Sequence, residues 1–263
     1  VYHAERFRFV GGEPLLNPHI LDYVKVVRES GISSFIEIAT NGVLLDRASD
    51  ELFESVDRIS VSWYPDPRSH ERIIESAGEK CRRHKTEFRV ERISKFRTIQ
   101  VAGPIDDQRV VNDIYQSCMI AHTWHCQTFY DGRFYLCSRP IFTAVYLQRL
   151  DVPAPDFHEL DGELLHQPDL RERLIERLSS RQPLKACEYC LGTVGRYAPW
   201  TQLPAQSRRS PPQPLPLRRE SISWKRMKFL LVWRKIESGL LKCFPSARLA
   251  KYLSVVLTGI IGD

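Results

Sequence analysis

Several features are missing from this 263-residue chain, and each absence narrows what it can be. No apolar stretch reaches the roughly 18–20 residues of a membrane span. No basic, apolar leader opens it: Val1 runs directly into a charged, strand-like segment, so no signal peptide is expected. No repeat occurs beyond a strand–helix rhythm. The seven cysteines are too sparse for a secreted disulfide scaffold, and only one C-x-x-C occurs. A metal or redox site in the reducing cytoplasm is the expectation from that usage. The basic balance is also local. Residues 201–263 hold 12 Lys/Arg against 3 Asp/Glu, whereas the remainder holds 26 against 29, so the body is slightly acidic. With no recognised nucleic-acid module, no nucleic-acid partner is expected.

What is present is an ordinary globular composition, 43% hydrophobic and 27% charged, on a chain long enough for a sizeable core. Residues 7–10 (FRFV) read as a strand, followed by Gly11-Gly12-Glu13-Pro14 and then Asn17-Pro18, an N-cap and a first-turn proline. Ile20, Leu21, Val24 and Val27 recur at helical spacing until Gly31. Strand-like FIEIA (35–39) ends in Thr40-Asn41-Gly42. A helix near 47–55, a strand at 58–62 ending in Ser60 and Ser62, a helix capped by Ser69 and running to Lys85, and a strand at 87–93 follow. Units of roughly 25–30 residues predict βα repeats around a parallel sheet or barrel. Such folds gather their chemistry at the C-terminal strand ends, where the glycine pair, Thr40-Asn41 and the serines fall.

The pattern changes near residue 104. Asp131-Gly132 between TFY and RFYLC predicts a hairpin. A polar helix follows at 168–180, then the ACEYCLG turn. Cys118, Cys126, Cys137, Cys187 and Cys190 concentrate here. Thiolates are soft ligands, and four of them suit zinc or an iron–sulfur cluster, which composition does not separate. Cys81 and Cys243 read as structural. His122, Trp124 and His125 read as packing against the hairpin, with shielding of a metal site or lining of a pocket as the alternatives. Residues 204–220 are Pro/Ser/Arg-rich and read as a linker. In the tail at 222–258, Phe229, Leu230, Trp233, Ile236 and Leu240 sit at helical spacing beside Lys225, Lys228, Arg234 and Lys235. A helix docked on its own protein or on a partner, or one lying on anionic lipid as a peripheral contact, both fit.

FVGGEPLLNP, a helix, a strand and TNG together resemble the radical S-adenosylmethionine family. Cys118, thirteen residues, Gly132, four residues and Cys137, completed by Cys187 and Cys190, resemble the auxiliary-cluster domain of its SPASM/twitch branch. The resemblance covers about residues 5–200. It implies an α/β fold: an incomplete (βα)6 partial barrel over 1–103, a small cysteine-rich α+β auxiliary domain over 104–200, a linker over 201–221 and a basic helical tail over 222–263. It implies reductive cleavage of S-adenosylmethionine at a [4Fe–4S] cluster and hydrogen abstraction by the 5′-deoxyadenosyl radical from a peptide or small-molecule substrate. A flavodoxin or ferredoxin would supply electrons.

Carried over residue by residue, Gly11, Gly12, Glu13 and Pro14 would receive the methionine ammonium. Thr40, Asn41, Ser60 and Ser62 would line the cofactor. Cys118, Cys137, Cys187 and Cys190 would hold an auxiliary [4Fe–4S] cluster, with Cys126 as the alternate to Cys118. The family's C-x-x-x-C-x-x-C, which ligates the radical-generating cluster, belongs upstream of the GGEP motif and does not occur in this chain. An N-terminally incomplete copy of a radical enzyme is therefore the expectation. A non-catalytic iron–sulfur or zinc module that binds a partner is the alternative.

Overall fold

The computed structural model describes residues 2–64, 70–201, 210 and 214–243, with the backbone alone for His70 and 238–243. The expected Ser69 cap, the core of the linker, the side chains of Leu240 and Cys243 and the end of the tail lie outside what is described. The chain divides into two compact units, Val1–Phe96 with Pro199–Leu203, and Arg97–Ala198 with Pro204–Asp263. The change of unit falls a few residues before 104 because Val101 and Ile105 are buried in the second core, with Val111 and Ile114.

The first unit is a run of βα units. Strands β1 (Phe7–Phe9), β2 (Ile36–Thr40), β3 (Arg58–Trp63) and β4 (Glu87–Arg92) form one parallel sheet in the order β1-β2-β3-β4. Helices α1 (Ile20–Ser30), α2 (Asp50–Ser55) and α3 (His70–His84) connect them. Gly31 stops α1 in the left-handed conformation, at φ 64°. Asn17 does not cap α1 directly. It closes a single 3-10 turn at Pro14–Leu16, and its side chain accepts the His19 N–H one residue before the helix.

Period-two alternation explains the two faces of this sheet. Ile36, Ile38, Ile59 and Val61 point to one side and pack with Val24, Val27, Leu52, Phe53, Ala77 and Cys81 of the helices. Burial alone raises the Cys81 thiol to about 11, in keeping with a structural role. The opposite face is polar. Arg8, Glu37, Arg58 and Glu87 stand at one register across the four strands. Their charges alternate, with contacts of 3.1 Å for Arg8–Glu37, 3.5 Å for Glu37–Arg58 and 2.7 Å for Arg58–Glu87.

After the short strand β5 (Lys95–Arg97), β6 (Thr128–Tyr130) and β7 (Arg133–Tyr135) pair antiparallel in the second unit, and β8 (Gly162–Leu164) pairs with β7. Asp131 at φ 47° and Gly132 at φ 68° make the tight turn that the Asp-Gly pair predicts. The helices of this unit are α4 (Gln108–Gln116), α5 (Met119–His122), α6 (Arg139–Arg149), α7 (Phe157–Asp161) and α8 (Leu170–Ser179), of which α7 and α8 pack on β8.

The tail forms α9 (Trp224–Cys243), which docks on its own unit. Ile222, Met227 and Leu230 are buried with Val111, Ile114, Leu191 and Val194. The expected stripe is rotated. Phe229 and Ile236 are exposed, and Met227 takes the inward position instead. The apolar side built from Met227 and Leu230 is thus used internally, while Phe229, Val232 and Ile236 stay exposed. Among the described residues no helix is long and apolar enough to cross a membrane.

Candidate functional site

The first site lies where β1 and β2 end. Glu13 leaves β1 in an extended conformation, and Pro14 starts the 3-10 turn behind it. Glu13 Oε1 accepts the Thr40 hydroxyl at 2.6 Å and the Leu15 N–H at 3.1 Å. Glu13 Oε2 accepts the Asn41 N–H at 2.8 Å. Thr40 Oγ1 in turn accepts the Gly42 N–H at 3.0 Å, and Asn41 Oδ1 accepts the Val43 N–H at 2.9 Å. Gly42 sits at φ +83°, and a Cβ there would lie 3.0 Å from Val61, so glycine is required. One carboxylate therefore ties the GGEP and TNG loops together.

Gly11 and Gly12 behave differently. Both are exposed, neither has a positive φ, and a Cβ on either would meet nothing within 4 Å. Neither strain nor packing in the protein demands glycine there. Two bare backbone units beside a carboxylate suit close approach by a ligand carrying a positive group.

The serines depart from the expectation. Ser60 is the third of six residues in β3, not its end. It is buried, and its hydroxyl donates to Glu37 Oε1 at 2.7 Å. Ser62 lies further along the same polar face and is half-buried. Thr40 and Ser60 thus spend their hydroxyls on carboxylates of the protein. Sequence reasoning passed over Glu37. Only 2% exposed, it gathers Arg6 at 3.1 Å, Arg8, Arg58 and Ser60. The signal was available, because a glutamate between two isoleucines in a strand faces away from the helices.

The second site lies within the second unit. Cys118 stands at the N-cap of α5, Cys137 follows β7, and Cys187 and Cys190 flank the end of a 3-10 turn at Lys185–Tyr189. All four line one cavity, in which the centre of a water-sized sphere can range over about 20 Å³. Its wall is otherwise apolar, built from side chains such as Ile114, Tyr115 and Leu184, apart from Arg139. Cys126 is exposed and is not part of this wall, so its place as alternate ligand is not supported by the geometry. His122 packs edge-on against Tyr115 rather than on the hairpin, and its Nε2 lies 2.9 Å from the Tyr115 carbonyl. Trp124 is exposed.

Burial raises all four thiols, Cys190 to about 11. Cys137 and Cys187 are raised further by the neighbouring cysteines, which line the same cavity. Such thiols stay protonated until a cationic centre displaces the protons. Backbone N–H groups are already aimed at the sulfurs. Gly192 donates to Cys190 Sγ at 3.2 Å, Ile120 and Ala121 donate to Cys118, and Arg139 donates to Cys137. Gly192, at φ +52°, would bring a Cβ to 3.4 Å from Cys118 Sγ.

Two further residues position this cage, and neither was singled out from the sequence. Asp161 is buried and accepts the Lys185 and Ala186 N–H groups at 2.7 and 2.8 Å, clamping the turn that carries Cys187. Arg139 also lines the cavity, and its Nε is buried without a hydrogen-bond partner. Among the described residues, no three His, Cys, Asp or Glu side chains are arranged to share a single metal ion. Four thiols around one apolar space, with backbone N–H donors on the sulfurs, are ligands of the kind that a thiolate-bound metal centre uses.

The first unit is thus an α/β domain with a parallel four-stranded sheet and a buttressed glutamate at its strand ends. No family profile matches the chain. Parts of the chain are similar to curated proteins named GTP 3′,8-cyclase. Identity is 36% over 75 residues with the Microcystis aeruginosa protein, covering 28% of this chain and 23% of the relative. It is 43% over 60 residues with that of Chlorobaculum tepidum, covering 22% and 18%. It is 38% over 81 residues with that of Acaryochloris marina, covering 30% and 24%. The matched stretch spans less than a quarter of the length of each of these relatives. GTP 3′,8-cyclase is a radical S-adenosylmethionine enzyme, so the similarity supports that family and does not reach the SPASM/twitch branch.

Proposed function

We propose that this chain is part of a radical S-adenosylmethionine enzyme acting on a peptide or small molecule, with an auxiliary [4Fe–4S] cluster in its second unit. Bound S-adenosylmethionine would supply the 5′-deoxyadenosyl radical for hydrogen abstraction. The observation that carries the reading is the Glu13 junction. A carboxylate held by the Thr40 hydroxyl and the Asn41 N–H follows two glycines in the chain that the protein's own packing does not require. Three donors occupy Glu13, and a carboxylate has about four acceptor positions, so one remains for a ligand ammonium. Holding the carboxylate on both oxygens fixes its direction before the ligand arrives, which limits the entropy lost on binding.

The residues of the second site would ligate the cluster through Cys118, Cys137, Cys187 and Cys190. Asp161 would keep the C-x-x-C turn in place, and the apolar wall would exclude water. Four protein thiolates leave no iron site for a substrate, so this centre would serve electron transfer. A flavodoxin- or ferredoxin-type donor and a cytoplasmic setting go with this reading, as does the partial (βα)6 barrel.

The test uses the full product of the gene, including any sequence encoded ahead of Val1. Incubated anaerobically with S-adenosylmethionine and dithionite, it should release 5′-deoxyadenosine, and Glu13→Ala should suppress that release. No 5′-deoxyadenosine from an iron-replete preparation would refute the proposal. The similarity to GTP 3′,8-cyclases makes GTP one small molecule to try first as substrate.

A further inference from the structure

We propose that the outward side of α9 lies on an anionic lipid surface, as a peripheral contact of the second unit. The proposal rests on this helix alone and is independent of the reading of the two sites.

An α-helix turns about 100° per residue, so position in the sequence separates its docked side from its outward side. Met227 and Leu230 point into the second core with Ile222 and Leu191. On the other side Phe229, Val232 and Ile236 follow one another at spacings of three and four, which places them in one line along the axis. They are 42%, 58% and 48% exposed. Single exposed apolar residues are ordinary. A line of them on a helix whose core-facing side is already buried is not accounted for by the fold of this chain. Lys225, Lys228 and Lys235 are exposed as well, and they fall with that line inside an arc of about 120°.

The charges of α9 are sorted between its two sides. Its one acidic residue, Glu237, is paired with Arg234 at 3.1 Å, and the glutamate side chain is only 14% exposed. Arg226 and Arg234 turn to the protein and donate to the Thr193 and His122 carbonyls. The outward arc therefore combines apolar side chains with lysine ammonium groups and holds no carboxylate of the helix. The sequence keeps the same balance beyond it: residues 238–262 contain Lys242, Arg248 and Lys251 and no acidic residue.

Such a surface is complementary to anionic headgroups over acyl chains. Apolar side chains enter the boundary of the acyl region, and lysines extend along it to keep their ammonium groups among the phosphates. The composition argues against a protein partner. Lys is depleted in the cores of protein interfaces and Val is under-represented among the residues that dominate their energy, where Trp, Tyr and Arg lead.

The experiment is cosedimentation of the full chain with vesicles of phosphatidylcholine alone or of phosphatidylcholine mixed with phosphatidylglycerol. It compares wild type with the double variants Phe229→Ser/Ile236→Ser and Lys225→Glu/Lys228→Glu. The replaced side chains are all exposed, so circular dichroism and thermal unfolding should match wild type. Wild type should bind the mixed vesicles about tenfold more tightly than phosphatidylcholine, less so as salt rises, and each double variant should lose about tenfold on the mixed vesicles. No binding to the mixed vesicles would overturn the proposal, as would equal binding by the folded double variants. Retention by an acidic protein such as a flavodoxin, without vesicle binding, would assign this side of α9 to a protein partner and overturn it too.

Discussion

Replacing Glu13 separates its structural and ligand-binding duties. Thr40 is 2% exposed, and its hydroxyl reaches Glu13 at 2.6 Å, while the half-buried Asn41 N–H reaches the other oxygen at 2.8 Å. Glu13→Ala leaves both donors without acceptors. Each such loss costs about 1–3 kcal/mol, so a loss of about 2–4 kcal/mol in unfolding free energy is expected, with the half-buried N–H at the low end. Glu13→Gln retains one oxygen and turns an NH₂ toward one of the donors, so about 1–3 kcal/mol is expected. Urea unfolding followed by circular dichroism reads these values as changes in midpoint at constant slope. Combining Glu13→Ala with Thr40→Val should show a coupling of about 0.5–3 kcal/mol, because both remove the same bond. For the ligand, removing a charge-assisted partner of the ammonium should weaken S-adenosylmethionine binding by about 10- to 100-fold in equilibrium dialysis. Strict additivity with Thr40→Val, or unchanged binding by a folded Glu13→Ala protein, would refute the reasoning.

Glu37→Ala should destabilise the first unit by about 1–3 kcal/mol, since it removes the acceptor of the buried Ser60 hydroxyl while Arg58 keeps its pair with Glu87. The half-exposed Arg6 and Arg8 should add little when replaced alone, which thermal unfolding of the single variants checks. His122 should make stability fall with acid. Burial first, and then the charge of Arg234 and His125, lower its ring from 6.5 to about 4. The unfolded chain therefore binds the proton more readily. The contribution is complete above pH 6.5 and is lost as pH falls through the window down to pH 4, by at most about 3 kcal/mol before solvent screening. His122→Gln should flatten that part of a denaturation series against pH.

The parts of the fold that were legible in the sequence rest on local chemistry. The Asp131-Gly132 hairpin, the Gly31 stop and the βα rhythm follow from φ preferences and periodicity, and each occurs where those features stand. The thirteen-residue spacing favours Cys118 over Cys126, and the cavity includes the first and not the second. What escaped depends on contacts far apart in the chain. Asp161 becomes conspicuous only when burial is known, since it is an ordinary charged residue in its own segment, whereas Glu37 could have been found from its place between two isoleucines. Ser60 reads as a strand end because β3 runs on through Trp63. In α9, helical spacing offers more than one apolar stripe, and the neighbours Val111 and Leu191 decide that Met227 and Leu230 turn inward.

The central claim is that Cys118, Cys137, Cys187 and Cys190 hold one iron–sulfur cluster. Anaerobic reconstitution with iron and sulfide in the presence of competing zinc, followed by metal analysis and Mössbauer spectroscopy, measures it directly. The account predicts about four irons per chain in one cubane, unchanged by Cys126→Ser and lost in Cys137→Ser. A colourless protein holding a single zinc, or iron uptake indifferent to Cys137→Ser, would contradict it.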